Sequence, residues 1–328
     1  MENPRVSVLV TFYNQEEYVD KAIESIISQK TSFGVHIIVG DDGSSDGTRD
    51  AVNRWVDKFP DRIELHVWDR DDGPVDNGFR ASKNRLNLLR FVKTEYFIFL
   101  DGDDYYSFDG KLQMQADVLD DPANSDCIAC GHNIDMLYKD GRTEPAMTYS
   151  VEGKLDAKRY WRKYYIHTDT LMIRSSVISH IDKEFPYNHF DDVVITFFVL
   201  GYGKIYYLPE PWAVYVQTEN GLWTSGDTVV NLIRSMMMFD VCNAINPRLS
   251  VENQVRFSHI WKGIYRLRKK IDPETLKPYA DEAKSANLKY TDKWIHYTES
   301  GLFDRIGLVL KCFGVKINKF FDRFYFRA

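Results

Sequence analysis

Cysteine is scarce, with four residues in a chain of 328. That is too few to staple a protein of this size, which excludes a disulfide scaffold. Long apolar runs are missing as well: no 18 consecutive apolar residues occur, which argues against a bilayer-spanning helix. The opening MENPRVSVLV has neither a basic leader nor a signal-type apolar core, so a cytosolic protein is expected. Low-complexity segments and repeats at solenoid spacing are absent. Neither G-x-G-x-x-G nor G-x-x-x-x-G-K-[ST] follows the first apolar run, which removes support from a dinucleotide oxidoreductase and from a P-loop NTPase.

What is present is ordinary for a globular protein: 44% hydrophobic, 27% charged and 14% aromatic residues. At roughly 150 residues per domain the length fits two domains, or one with an appendage. A net charge of −6 argues against a nucleic-acid partner. The charge is unevenly spread. Residues 251–270 carry six basic side chains against Glu252, and 302–328 carry six against Asp304 and Asp322. A basic end on an acidic body points to an anionic surface, such as a membrane. Cys127 and Cys130 form a C-x-x-C that no second pair or paired histidine completes, so they read as small residues on a buried strand.

The first 105 residues alternate apolar β-branched runs with amphipathic segments. Val6–Phe12, His36–Val39, Ile63–Trp68 and Tyr96–Leu100 read as strands, and 15–29, 47–58 and 80–92 as helices. In the first helix Val19, Ala22, Ile23, Ile26 and Ile27 share one face. This order predicts an α/β fold with a mostly parallel sheet covered by helices on both faces. Beyond about 109 the rhythm loosens. A helix at 109–120, strands at 127–134 and 170–174, a hairpin near Asp140-Gly141 and a helix at 191–200 suggest a mixed-sheet extension. The stretch 204–216 reads as strand pieces interrupted by Pro209 and Pro211, and everything after about 227 reads as helical. The expected division is a catalytic domain over 1–226, with halves at about 1–105 and 106–226, followed by a helical region over 227–328.

In open parallel sheets ligands bind beyond the carboxyl ends of the strands. Thr11-Phe12-Tyr13-Asn14 follows the first strand, GDDGSSDG (40–47) the second, and Asp101-Gly102-Asp103-Asp104 the fourth. Turn and helix-cap chemistry alone accounts for much of the second stretch, with Asp46 a candidate cap. Asp101, Asp103 and Asp104 are different, because three carboxylates within four residues repel unless a cation sits among them. Oxygen ligation suits a hard ion, Mg2+ or Mn2+.

The blocks VSVLVTFYNQEEYVDKAIESIISQ, IIVGDDGSSDGT, Lys83-Asn84 before YFIFLDGDD, and FDDVVITFFVLGYGKIYYLPEPWAVYV together resemble the family 2 inverting glycosyltransferases of GT-A fold. The resemblance covers about residues 5–225. It implies nucleotide contacts at Thr11, Tyr13, Asp42, Lys83, Asp101 and Gly102, with Asp41 ordering its loop. Asp103 and Asp101 would face the metal, and Asp104 would be an extra member. It also implies a general base in the acidic pair Asp191-Asp192, with Asp192 the choice. An in-line displacement needs a carboxylate to take the acceptor proton on the face opposite the leaving diphosphate.

Two departures from the family pattern stand out. No histidine follows the strand behind the acidic helix, where Tyr215–Asn220 lies, and the Gln-x-x-Arg-Trp pattern of processive synthases is absent. Transfer of one sugar per encounter follows. Trp161, Tyr164, Tyr165, His167, Trp212 and Trp223 are candidates for stacking on sugar rings, of which Trp223 and His167 are taken as acceptor-binding. Phe303, Ile306, Leu310, Phe313, Ile317, Phe320 and Phe324 form a narrow helical seam. It fits packing on the catalytic body, an interfacial helix on anionic lipid at the inner membrane face, or self-association as a homo-oligomer. The expected activity moves a sugar from a nucleoside-diphosphate donor, UDP-linked, to a hydroxyl of a glycan or lipid-linked glycan. A sugar nucleotidyltransferase and an inactive nucleotide-sugar-binding module are the alternatives.

Overall fold

The computed structural model describes residues 3–70, 77–148, 151–181, 189–218 and 228–245, with 277, 279, 281 and 284. Two compact units are formed, Met1–Ser225 and Gly226–Ala328. The first begins with β1 (Pro4–Phe12), α1 (Glu16–Ile27), β2 (Gly34–Asp41), α2 (Thr48–Lys58), β3 (Ile63–Val67), α3 (Asn77–Leu88) and β4 (Tyr96–Asp101). Then come β5 (Tyr105–Tyr106), α4 (Lys111–Asp120), β6 (Cys127–Leu137), β7 (Thr143–Pro145) and β8 (Gly153–Leu155). α5 (Ala157–Lys163), β9 (Met172–Arg174), α6 (Asp192–Val199) and β10 (Lys204–Val216) complete it.

One sheet runs in the order β3-β2-β1-β4-β9-β6-β10-β5, with β7 on β6 and β8 on β10. β1 shows why its centre is strand: every side chain from Val6 to Phe12 is buried, as a strand covered on both faces requires. Val6, Val8 and Val10 pack with Val19, Ile23 and Ile26 of α1. Leu9 faces the other way, level with Phe99 of β4. Register then sets the site, since Thr11 lies opposite Gly40 on one side and Asp101 on the other. β1, β2 and β4 therefore end level, and their polar tips share one edge.

The helix starts at this edge are tied together rather than capped alone. The Glu16 N–H of α1 donates to Asp46 Oδ2 at 3.2 Å, and Glu16 Oε2 accepts from the Gly47 N–H at the head of α2. Asp46 also accepts from the Thr48 N–H and hydroxyl, so it ties the two helix starts together, while the N-cap position of α2 is Gly47.

Beyond β4 the sheet is mixed. β9 runs antiparallel to both β4 and β6, and a three-residue strand leaves too short a pattern to reveal that pairing. β10 is one strand rather than separate pieces. It absorbs Pro209 and Pro211 in register shifts between Leu208 and Pro211 and between Pro211 and Val214, where a missing N–H does least harm. The expected helix over 80–92 runs from Asn77 to Leu88 and tightens into a 3-10 turn at Leu89–Phe91. Cys127 and Cys130 are buried free thiols on β6.

In the second unit α7 (Thr228–Ile245) is helical. No helix among the described residues is long and apolar enough to cross a membrane. The seam from Phe303 to Phe324 lies outside the described residues.

Candidate active site

At the tips of β1 and β2, Asp41 and Asp42 have different surroundings. Asp41 is fully buried and accepts from the Ser44 N–H at 3.0 Å and from Arg49 Nε at 2.7 Å, which shapes the loop. Asp42 pairs with Arg70 Nη1 at 3.1 Å. Burial pushes its carboxyl above the usual range, against the pull of Arg70, Arg80 and Lys83. The Arg70 guanidinium lies 3.4 Å from the centre of the Tyr13 ring, itself 37% exposed. Tyr13, Asp42 and Arg70 thus offer a flat face, an acceptor and a donor together. Gly43 turns this loop at φ +75, and Lys83 is exposed on α3.

The acidic turn after β4 is built from both halves of the sheet. Asp101 accepts two bonds from Arg85 Nη2, at 2.6 and 2.7 Å, and one from the Thr11 hydroxyl at 3.3 Å. Burial alone would raise its pKa, but Arg85 outweighs that and lowers it. Gly102 leaves no room for a side chain, because a Cβ there would meet the Phe12 ring at 2.2 Å. Asp103 faces the Thr218 hydroxyl at 3.5 Å, and burial, then Asp101, pushes its carboxyl up to about 7. Asp104 is buried, with Oδ1 accepting from the Val216 N–H of β10 at 2.7 Å. Burial and the nearby Asp169 hold its pKa well above the usual range.

The 3-10 turn Thr168–Thr170, just before β9, brings two more groups. Asp169 is fully buried, and its Oδ1 accepts from the Asp101 N–H at 3.1 Å. His167 lies 3.4 Å from Asp169 Oδ2. Burial would lower its pKa, yet Asp169, Asp192 and Asp101 raise it to about 9. Oδ2 of Asp104 is buried without a hydrogen-bond donor, and Oδ2 of Asp169 is approached by the His167 ring nitrogen. Donor atoms of Asp101, Asp104 and His167 lie within 4.8 Å of one another. Crowded carboxylates, an orphaned oxygen and converging ligand atoms fit a divalent cation.

The acidic pair divides its labour. Asp191 is the N-cap of α6, accepting from the Val194 N–H at 3.2 Å, and burial followed by Asp192 pushes it up to about 7. Asp192 begins the helix with its side chain free of capping, and it accepts the Tyr165 hydroxyl at 2.7 Å. Arg85 ties this pair to the acidic turn, since Nη1 donates to the Phe190 carbonyl at 3.5 Å while Nη2 grips Asp101.

Thr11, Tyr13, Asp42, Asp101, Gly102, Asp103, Asp191 and Asp192 all lie along the carboxyl edge of the sheet. His167, expected toward the acceptor, is buried in the acidic cluster. The converging ligand group includes Asp104 and His167 beside Asp101, with Asp103 next to it. Trp223 lies outside the described residues, as does the Trp161 side chain. Trp212 is core, packed on Phe108 at 5.3 Å, and His189 stacks edge-on against Phe79 at 4.7 Å. Arg70, Arg85 and Asp169 carry no local motif in the sequence. Arg85 sits two positions from Lys83, and only the helix turn shows which of the two points inward.

The glycosyl transferase family 2 model matches residues 7–181. An uncharacterised protein of Mycobacterium tuberculosis is 26% identical over 226 residues, 68% of this chain and 62% of that relative. The chain thus spans about three fifths of the length of the curated relatives first matched. Among solved structures, Staphylococcus aureus TarS residues 1–349 in complex with UDP-GlcNAc superposes with a TM-score of 0.63 at 16% identity, covering 96% of this chain and 91% of that one. The mannosyltransferase PcManGT of Pyrobaculum calidifontis, in complex with GDP-Man and Mn2+, gives 0.52 at 16% identity over 95% and 87%. These likenesses establish the GT-A fold. With its family match spanning more than half the chain, the protein belongs to glycosyl transferase family 2.

Proposed function

We propose that the chain is a metal-dependent inverting glycosyltransferase that moves one sugar from a UDP-linked donor to a hydroxyl of a glycan or lipid-linked glycan. The observation that carries the reading is the shared edge. An acidic turn fit for a cation and a carboxylate free of capping, Asp192, face the same space and are joined through Arg85. The UDP-GlcNAc bound by TarS and the GDP-Man and Mn2+ bound by PcManGT agree with a nucleotide-sugar donor.

Tyr13, Asp42 and Arg70 would take the base, with Asp42 accepting a pyrimidine N–H and Tyr13 offering its ring. Lys83 stands at the rim of that pocket. Asp101, Asp104 and His167, with Asp103 beside them, would hold Mn2+ or Mg2+. When bound, the cation neutralises the diphosphate and makes it a better leaving group. Asp192 accepts the proton of the attacking hydroxyl as the new C–O bond forms and the bond to diphosphate breaks, with inversion at the anomeric carbon. Asp191 holds the helix start by capping it. Arg85 fixes Asp101 and the approach to Asp192 in one rigid unit.

The test is a screen of nucleotide sugars for release of the nucleoside diphosphate with and without Mn2+. Metal-dependent release of UDP from one donor is the expected result. Release of sugar 1-phosphate in place of the nucleoside diphosphate, or no release at all, defeats the proposal in favour of nucleotidyl transfer or a binding module.

A further inference from the structure

Tyr164 and Tyr165 are neighbours that turn opposite ways. The Tyr164 ring is buried edge-on against Tyr207 at 4.9 Å, and its hydroxyl donates to the Val151 carbonyl at 3.1 Å. Tyr165 leaves 38% of its surface exposed, yet its hydroxyl reaches across to α6 and donates to Asp192 Oδ2 at 2.7 Å. Extended backbone sends successive side chains to opposite sides, so this pair faces the core with one ring and the site with the other. The second ring is fixed in place. Its own N–H lies 3.1 Å from Met147 Sδ, and its centre is 6.2 Å from the His167 ring. Among the described residues, Asp192 accepts no hydrogen bond besides that of Tyr165.

We infer that Tyr165 builds the acceptor site: its hydroxyl orients Asp192 so that Oδ1 faces the acceptor, and its exposed ring is the platform for the apolar face of an acceptor pyranose. The inference rests on the reading of Asp192 as the base. A partly exposed aromatic face is favourably covered by the C–H face of a sugar ring. A pyranose lying there carries its hydroxyls around its edge, and one edge of this platform is the phenol oxygen bound to Asp192. The acceptor hydroxyl therefore meets the carboxylate oxygen that no described residue uses, and its proton passes to Oδ1. The substrate class that follows is a pyranoside, not an alditol phosphate, which has no flat apolar face to lay on the ring.

The test uses the full chain with UDP and Mn2+ and three methyl β-pyranosides, gluco, galacto and N-acetylgluco, with ribitol phosphate as the contrasting probe. Saturation-transfer NMR should show contact with the ring protons of at least one pyranoside in the wild type and in Tyr165→Phe, and none in Tyr165→Leu. In turnover with that pyranoside, Tyr165→Phe should lower kcat about tenfold and leave the acceptor KM within about twofold. Tyr165→Leu should raise the acceptor KM about tenfold while the donor KM is unchanged. Calorimetric UDP binding equal to wild type in both variants separates this role from upkeep of the donor site. Loss of UDP binding in both, ribitol phosphate contacted in preference to every pyranoside, or a Tyr165→Leu protein indistinguishable from wild type overturns the inference. Asp192→Asn separates the two readings. If it turns over normally, the base assignment has failed; if it is inactive while the Tyr165 variants match wild type, only the Tyr165 inference has.

Discussion

The two halves of the first unit build their share of the site by different means. From β1 to β4, the polar groups leave the ends of parallel strands, and strand register alone puts Thr11 beside Asp101. From β5 to β10, they come from a 3-10 turn, a helix start and a long strand that absorbs two prolines, and side-chain hydrogen bonds aim several of them. Tyr165 to Asp192 and Arg85 to the Phe190 carbonyl are examples. Backbone placement is shared among many residues and tolerates single substitutions. Placement by side chains depends on each partner. On the proposed function, the first half should therefore lose donor affinity gradually under mutation, and the second should lose turnover abruptly.

Substitutions can sharpen or break this contrast. The largest effect is expected at Asp192→Asn, which should lower kcat by about a thousandfold while calorimetry still finds Mn2+-dependent UDP binding. Undiminished turnover would move the base to Asp191. Next is Arg85→Met. It strips the buried partner from Asp101 and should cost about 3 kcal/mol in a urea melt, with both halves weakened because the residue joins them. Asp103→Asn should reduce metal-dependent UDP binding about tenfold, with folding stability preserved. Asp46→Ala removes a shared acceptor for two helix-start amides and should cost about 1 kcal/mol, read as a lower urea midpoint with kcat retained.

A separate effect is a slope with pH. Asp103 and Asp191, raised to about 7, and His167, raised to about 9, all bind protons more readily folded than unfolded. Stability of the metal-free protein should therefore fall as pH rises from about 5 to 8. Excess Mn2+ should flatten the slope at the acidic turn. A midpoint that rises over that range without metal would contradict the described cluster.

The same contrast explains what the sequence made readable. Strand-end motifs are local, so Thr11, Asp42, Asp101 and Asp103 stand out in their own neighbourhoods, whereas the Asp191-Asp192 pair stands out only through the family resemblance of the blocks together. The four strands and three helices of the first half follow from periodicity alone. Asp169 could not be found this way, because what marks it is a bond to the Asp101 N–H across 68 positions. His167 read as a sugar-stacking group because its company of carboxylates comes together only when β9 slips between β4 and β6. Arg85 and Lys83 look alike in sequence, and only one is buried. At β10 the prolines argued for a break, but the register shifts beside them let the strand continue.

That continuity has a consequence at its far end. Asp104 is anchored by the amide of Val216, a main-chain group that every residue type except proline supplies. The side chain at position 216 can therefore change without loosening this clasp, whereas Val216→Pro would unfasten it in a single step.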